Sequence, residues 1–281
     1  GFPGYPRQIY RYLWYILKKI GAQYETTIKM GMETGSMPMD ESITKILEDG
    51  AKELGAALDN EQIKKFLLYM DLLKSWNKKI NLTSIKEDKD IAIKHFVDSL
   101  SILQDIQYFA GTTNPSIIDI GTGAGFPGIP LKIAYDKLKV TLLDSVEKKL
   151  KFINECIKLL DLREVVVLHG RAEDFGQNPN YREKFDVAVA RALSNMAVSL
   201  ELCLPYVKVG GVFIAMKGKN IEDLDTSKKT SDILGGEIEL IKQIKLPFSD
   251  YTRNIVVIKK IRNTPNKYPR KSGKPSKSPL I

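Results

Sequence analysis

The stretch "SIIDIGTGAGFPGIPLKI", Ser116 to Ile133, carries glycines at 121, 123, 125 and 128, directly after an apolar run and directly before a helical pattern. A strand ending at Ile120 and a helix starting near Pro130 leave them in the connecting turn. There glycine admits positive φ and removes the side chain that would hold a ligand off the backbone, while the helix start beyond offers unpaired N–H groups. That is how a doubly wound sheet builds a nucleotide site at the carboxyl ends of its strands.

Two glycine patterns overlap in the turn. Gly123 to Gly128 reads G-x-G-x-x-G, as in dinucleotide folds. Gly121 to Gly125 reads G-x-G-x-G with Asp119 two residues ahead, which suits S-adenosylmethionine equally well. Asp144 ends the next apolar run, "KVTLLD", where a carboxylate accepts hydrogen bonds from both ribose hydroxyls; both cofactors need it. Downstream, "EVVVLHG", "KFDVAVARAL" and "GVFIAMKG" alternate with helical stretches, so βαβ units and a parallel sheet covered on both faces are expected. "GEIELIKQIKLP" and "RNIVVIKK" follow without a helix between them and should close the sheet as an antiparallel pair. A dinucleotide fold would continue with a second half and a catalytic domain, so the closing pair favours S-adenosylmethionine. The fold class is therefore α/β: a doubly wound methyltransferase-type sheet, mostly parallel with an antiparallel last strand.

Upstream, residues 37–110 read as a small helical lobe. Asp59 and Gln62 form a capping-box pattern ahead of an apolar stripe of Ile63, Phe66, Leu67, Met70 and Leu73. Residues 1–36 stand apart as an extension of uncertain origin, 111–261 form the sheet domain, and 262–281 a Pro-spaced basic tail expected to be extended or disordered. The net charge of +9 resides at the ends: the first 36 residues carry +3, residues 262–281 carry +6, and the body is neutral. Basic ends suit polyanions such as nucleic acid. The two cysteines, Cys156 and Cys203, and the lack of a secretion signal point to a reducing, cytoplasmic setting. No apolar run is long enough for a membrane span. The two histidines, His95 and His169, lie far apart without a ligand cluster, so no metal is expected. His95 and Asp98, three residues apart, could form a helix-surface pair that fixes the helical lobe. Phe126 is read as a stacking ring or as ordinary packing.

Several separated blocks together resemble the bacterial 16S ribosomal RNA guanine-7-methyltransferases, also called glucose-inhibited division protein B. They are "NLTSI" (81–85), "KHFVDSL" (94–100), "DIGTGAGFPGIPL" (119–131), "LLDSVEKKLKF" (142–152), "HGRAED" (169–174), "ARAL" (190–193), "KGKN" (217–220) and "YPRKSGKPSKSPL" (268–280). The resemblance spans about residues 40 to 281. It implies transfer of the methyl group of S-adenosylmethionine to N7 of a guanine in the 530 loop of 16S rRNA. It implies cofactor contacts at Gly121, Phe126, Ala172, Glu173 and Arg191; Asp119, Gly123, Gly125 and Asp144 join them by position in the turn and fold. It implies that Lys94 and His95 face the mouth of the site, the alternative to a surface pair of His95 with Asp98. Guanine N7 has an in-plane lone pair and no proton, so no general base is expected. Lys94, His95, Arg171 and Lys217 are candidates for positioning substrate, the arginines through O6 or phosphate because N7 itself must stay free to react. The partner is 16S rRNA or the small ribosomal subunit, the protein a monomer. A different methyl acceptor, a non-catalytic sensor and a dinucleotide oxidoreductase remain as alternatives.

Overall fold

The computed structural model describes residues 41–191, 195–218 and 224–280, with backbone only for 224–226. The expectations for the 1–36 extension, and for Ala192, Leu193, Lys219 and Asn220 in the sequence blocks, lie outside the described residues. The chain divides into Gly1–Lys45 and Ile46–Ile281. Of the first unit only the opening of the helix Glu41–Glu53 is described; the elements below belong to the second.

Seven strands form one sheet: β1 Ser116–Ile120, β2 Lys139–Asp144, β3 Val165–His169, β4 Phe185–Arg191, β5 Val207–Lys217, β6 Gly236–Lys245 and β7 Thr252–Lys260. Their order is β3-β2-β1-β4-β5-β7-β6. β1 to β5 pair in parallel, while β7 runs antiparallel to both β5 and β6. This is the expected architecture, with β7 slotted between β5 and the edge strand β6. Ile118 and Ile120 join Leu143, Ala188, Phe213 and Val256 in one core against the helix Met196–Cys203. The alternate residues Ile117, Val187, Ile214 and Val257 are equally buried. Alternation places them on the other face, which explains the near-continuous apolar runs. The chain reverses sheet direction between β1 and β4, and the ends of β1, β2, β3 and β4 meet beside that crevice.

The helix Asn60–Asn77 starts with the anticipated capping box: the Gln62 N–H donates to the Asp59 carboxylate (2.8 Å) and the Asp59 N–H to the Gln62 amide oxygen (2.9 Å). Gln62 Nε2 then donates to the Ile133 and Ala134 carbonyls, which end the helix Gly128–Ala134. One residue thus starts one helix and finishes another. Ile63, Phe66, Met70 and Leu73 are buried as the stripe required; Leu67 is half-buried, and Tyr69 takes its place in the core. Residues 88–100 are helical without a break, but Ala92–Val97 is wound as a π-helix. Wider turns of that kind gather at functional sites, and this one carries Lys94 and His95.

The tail departs from expectation. It is docked, not extended or disordered. Arg270 forks onto the buried Glu201 (Nε to Oε1 2.9 Å, Nη2 to Oε2 2.7 Å), and its own N–H donates to the same carboxylate. Arg182 donates to the Tyr268 and Thr264 carbonyls, and the Gly273 N–H to Glu173. Tyr268 enters the core, and Lys274–Lys277 forms a short helical turn. Proline and lysine spacing reads as unstructured because the partners of Arg270 and Gly273 lie 69 and 100 residues away. Removing the Glu201 carboxylate should undock this segment. In a timed trypsin digest Glu201→Ala is expected to be cleaved near Arg270 and Lys271 well before the native chain, each ~1.4 kcal/mol of lost docking energy speeding cleavage roughly tenfold. Equal cleavage rates would show that other contacts hold the tail.

Candidate active site

The glycine turn is built around two carboxylates. Gly121, Gly123 and Gly125 all have positive φ (70°, 62° and 95°), a region L side chains rarely occupy. The Gly121 and Thr122 N–H groups donate to the Leu143 carbonyl on β2. The Gly123 N–H donates to Asp144 Oδ2 (2.9 Å), and Asp144 Oδ1 accepts from Val146 N–H (2.8 Å). The carboxylate at the end of β2 is thereby fixed in direction, with a second lone pair left on each oxygen. Asp119 Oδ2 accepts from Thr122 Oγ1 (2.6 Å) and from the Gly128 N–H (2.9 Å).

Gly128 differs from the other three. It opens the helix Gly128–Ala134, two residues before the expected start at Pro130, and its φ is not positive. A Cβ there would lie 2.3 Å from Leu142 Cδ2 and 3.0 Å from Asp119 Oδ2, so this glycine serves close helix–strand packing. The helix start is therefore already capped by Asp119, contrary to the expectation of unpaired N–H groups. A pyrophosphate would need those donors, so the dinucleotide reading loses its anchor.

S-adenosylmethionine fits the residues present on two counts. A Cβ on Gly123 would meet only the Gly121 carbonyl oxygen, at 4.0 Å, so the turn leaves an open cradle at that point. Asp119 is fully buried, and its Oδ1 has no hydrogen-bond partner among the described residues. A buried orphan acceptor is costly unless a donor arrives. Burial pushes the Asp119 carboxyl up to about 6, against the hydrogen bonds from Thr122 and Gly128 and the Arg191 charge, which favour its ionised form.

Phe126, which follows the third glycine, joins the turn to the helical segments. Its ring is stacked against His95 (centroids 4.4 Å apart, planes 13° apart), and the Arg191 guanidinium lies 5.0 Å from its centroid. Tyr69, fully buried, donates its hydroxyl to the Ala124 carbonyl, stacks with Phe96 and Phe152 and meets Phe126 at a tilt. The Phe126 ring is buried among these neighbours.

Arg191 ends β4 and is held from three sides. Nη1 donates to the Lys94 carbonyl and to Asp98 Oδ2 (both 3.1 Å), and Nη2 donates to His95 Nδ1 (3.1 Å). A guanidinium can only donate, so Nδ1 must accept, and the neutral ring then carries its proton on Nε2. That N–H donates to Thr83 Oγ1 (2.8 Å). Burial first, and the Arg191 charge second, pull the His95 pKa from 6.5 to about 3. The expected surface pair of His95 with Asp98 does not form; both are buried, and Asp98 turns to Arg253 instead, accepting Nε on Oδ1 and Nη2 on Oδ2 (both 2.7 Å).

The other candidates scatter. Lys94 lies over the Tyr251 ring (4.4 Å) and reaches Asp90 (2.9 Å); hydrogen bonding to the Tyr251 side chain first, and to Asp90 second, holds its pKa above the ordinary value. Lys217 ends β5, nearly buried. Arg171 precedes the helix Ala172–Gln177, makes no side-chain capping bond to it, and is exposed. In that helix the Ala172 carbonyl accepts from the Tyr206 hydroxyl, and Glu173 is buried against Gly273. Reading the sequence missed Tyr69, Thr83 and Arg253, and it gave Asp98 the wrong partner. Arg253 stands 155 residues from Asp98, and nothing local marks the pair. Among the described residues no group of three or more His, Cys, Asp or Glu is placed to hold a metal, and no helix is long and apolar enough to cross a membrane.

Residues 62–255 match the family rRNA small subunit methyltransferase G, GidB. The chain belongs to that family. The curated ribosomal RNA small subunit methyltransferase G of Acetivibrio thermocellus is 56% identical over 245 residues, covering 86% of this chain and all of that protein. The proteins of the same name from Alkaliphilus metalliredigens and Clostridium tetani are 50% and 47% identical, each covering 84% of this chain and 98% of their own length. The glycine turn, Arg191 and the π-helical segment all fall within the stretch matched to the methyltransferase G family.

His95 gives a test of this geometry. The unfolded chain takes up its proton below about pH 6.5, whereas the folded chain resists until about 3. Stability from this group is therefore complete above 6.5 and falls as pH drops, by roughly 1.4 kcal/mol per unit. The raised Asp119 carboxyl acts in the opposite sense below about 6, so the comparison is with His95→Gln, which keeps a donor and an acceptor. Between pH 6.5 and 5 the native chain should lose about 2 kcal/mol more than the variant in urea titrations. Parallel pH profiles would mean that His95 is accessible to protons in the fold.

Proposed function

We propose that the chain transfers a methyl group from S-adenosylmethionine to N7 of a guanine in 16S rRNA, within the 530 loop, and works as a cytoplasmic monomer on rRNA or the small subunit. The observation that carries this reading is the locked state of the Phe126–His95–Arg191 junction beside the glycine turn. The histidine there has both ring nitrogens engaged and a pKa far below neutrality, so it is no base, and alkylation at N7 asks for none because no proton leaves the nucleophile. Membership in the methyltransferase G family supports the same acceptor.

When bound, S-adenosylmethionine supplies an electrophilic methyl on a sulfonium. Asp144 takes the ribose hydroxyls with its remaining lone pairs, and Gly121, Gly123 and Gly125 let the ligand approach the backbone. The orphan oxygen of Asp119 would accept from the ammonium of the methionyl part. Ala172 and Glu173, after β3, would border the adenine, and Phe126 packs against the Arg191 guanidinium. Lys94, His95, Arg171 and Lys217 face or support the substrate side. Catalysis then rests on alignment of lone pair and methyl, worth roughly 7–11 kcal/mol in favourable cases. The helical segment 88–100 supplies the wall carrying His95 and Asp98, the sheet supplies the turn, and the tail braces Glu173 through the Gly273 N–H.

The test is incubation with labelled S-adenosylmethionine and small subunits or rRNA lacking the modification, with product nucleosides identified by mass spectrometry. Label at a single 7-methylguanosine is expected; label elsewhere, or none, overturns the reading. In parallel, Gly123→Val projects a side chain into the open cradle. Apart from ~1–2 kcal/mol of backbone strain the fold should persist, while affinity for S-adenosylmethionine falls at least about tenfold, ~1.4 kcal/mol, by calorimetric titration. Unchanged affinity would place the cofactor elsewhere.

A further inference from the structure

The loop joining β6 and β7 displays two large aromatic residues to solvent. Phe248 is 48% exposed and Tyr251 51% exposed, and Phe248 sits at φ 60°, a backbone region unusual for a bulky residue. Between Glu53 and residues 245–250 lies a cleft of about 400 Å³. The Lys94 ammonium lies over the Tyr251 ring, 4.4 Å from its centroid, and about half of the residue's surface stays open to solvent.

This loop is fixed relative to the junction around Arg191. Two residues beyond Tyr251, Arg253 grips Asp98, and Asp98 also holds Arg191. Lys94 itself gives its carbonyl to Arg191. A half-exposed aromatic residue with a cation against its ring is the pairing that binds unpaired nucleotides: the base stacks on the ring and the cation takes the phosphate. Asp90 pairs with Lys94 and Asp250 with Lys245; Lys94 is itself largely covered, but both acids keep much of their surface in water, where an ion pair contributes little and a phosphate can compete for the lysine. Resting on the guanine-methylation reading, we propose that Tyr251 and Lys94 form a stacking platform for an unpaired RNA nucleotide flanking the target guanine. In A-form RNA the N7 edge lies in a deep, narrow groove, so a target presented there must come from an unpaired segment, whose neighbours are free to stack.

The experiment uses the full chain and two probes, a fluorescent single-stranded RNA 12-mer and unmodified small subunits. Tyr251→Leu should weaken 12-mer binding and raise KM for subunits by roughly 5- to 100-fold, with kcat and S-adenosylmethionine affinity near native. Tyr251→Trp should recover binding relative to Leu, because a ring is restored. Lys94→Gln should reduce the salt dependence of 12-mer binding by about one phosphate contact. Native 12-mer affinity in Tyr251→Leu overturns the platform. So does a KM rise confined to assembled subunits with 12-mer binding unchanged, which would identify a protein contact. If the native chain binds the 12-mer through Tyr251 yet methylates no guanine, the methylation reading falls and the platform stands. The S-adenosylmethionine affinity of each variant reports whether it has folded.

Discussion

Asp98 is the constraint on which the rest of the site depends. Its carboxylate has no solvent exposure, and it faces two guanidinium groups that are themselves mostly covered. Charges are taken out of water only when geometry and hydrogen bonding repay the desolvation, and losing one partner of such a set costs ~3–5 kcal/mol. Here one carboxylate, on the helical segment 88–100, holds the end of β4 through Arg191 and the start of β7 through Arg253. Arg191 then reaches the glycine turn through Phe126 and sets the tautomer of His95. The helical segment, two strands and the turn are registered against one another by a single side chain.

Within that frame the two carboxylates of the turn are held by donors at every oxygen but one. Asp119 caps the helix that follows, and Asp144 is aimed by two backbone N–H groups. The exception is Asp119 Oδ1. A buried carboxylate oxygen without a donor raises the free energy of the empty site and makes a cationic ligand group the natural complement. The same design withholds the helix N-terminus from phosphate, which is why two glycine patterns that overlap in the sequence are not equivalent in space.

The tail shows how basic residues divide between structure and surface. Arg270 serves Glu201, and the Gly273 N–H serves Glu173, which lies directly after β3. Lys260, just before the tail, is fully buried. Burial lowers its pKa to about 8, against the pull of Glu183. Positive charge near the end of this chain is therefore partly a set of internal clasps, and the neutral body is not a passive carrier for a charged appendage.

The sequence by itself determined the sheet. Apolar runs of strand length, glycines after Ile120, the acid at Asp144 and the helix-free final pair are local signals, because strand burial, turn conformation and capping depend on residues a few positions apart. The capping box at Asp59 was legible for the same reason. What only the tertiary structure decided was which charges meet. Asp98 with Arg253, Arg191 with His95, Arg270 with Glu201 and Tyr69 with Ala124 join residues separated by 155, 96, 69 and 55 positions. A buried ion pair or a shared ring leaves no period in the chain. Its partners are chosen by how the helices and strands pack, and by the requirement that every charge taken from water find its counterpart.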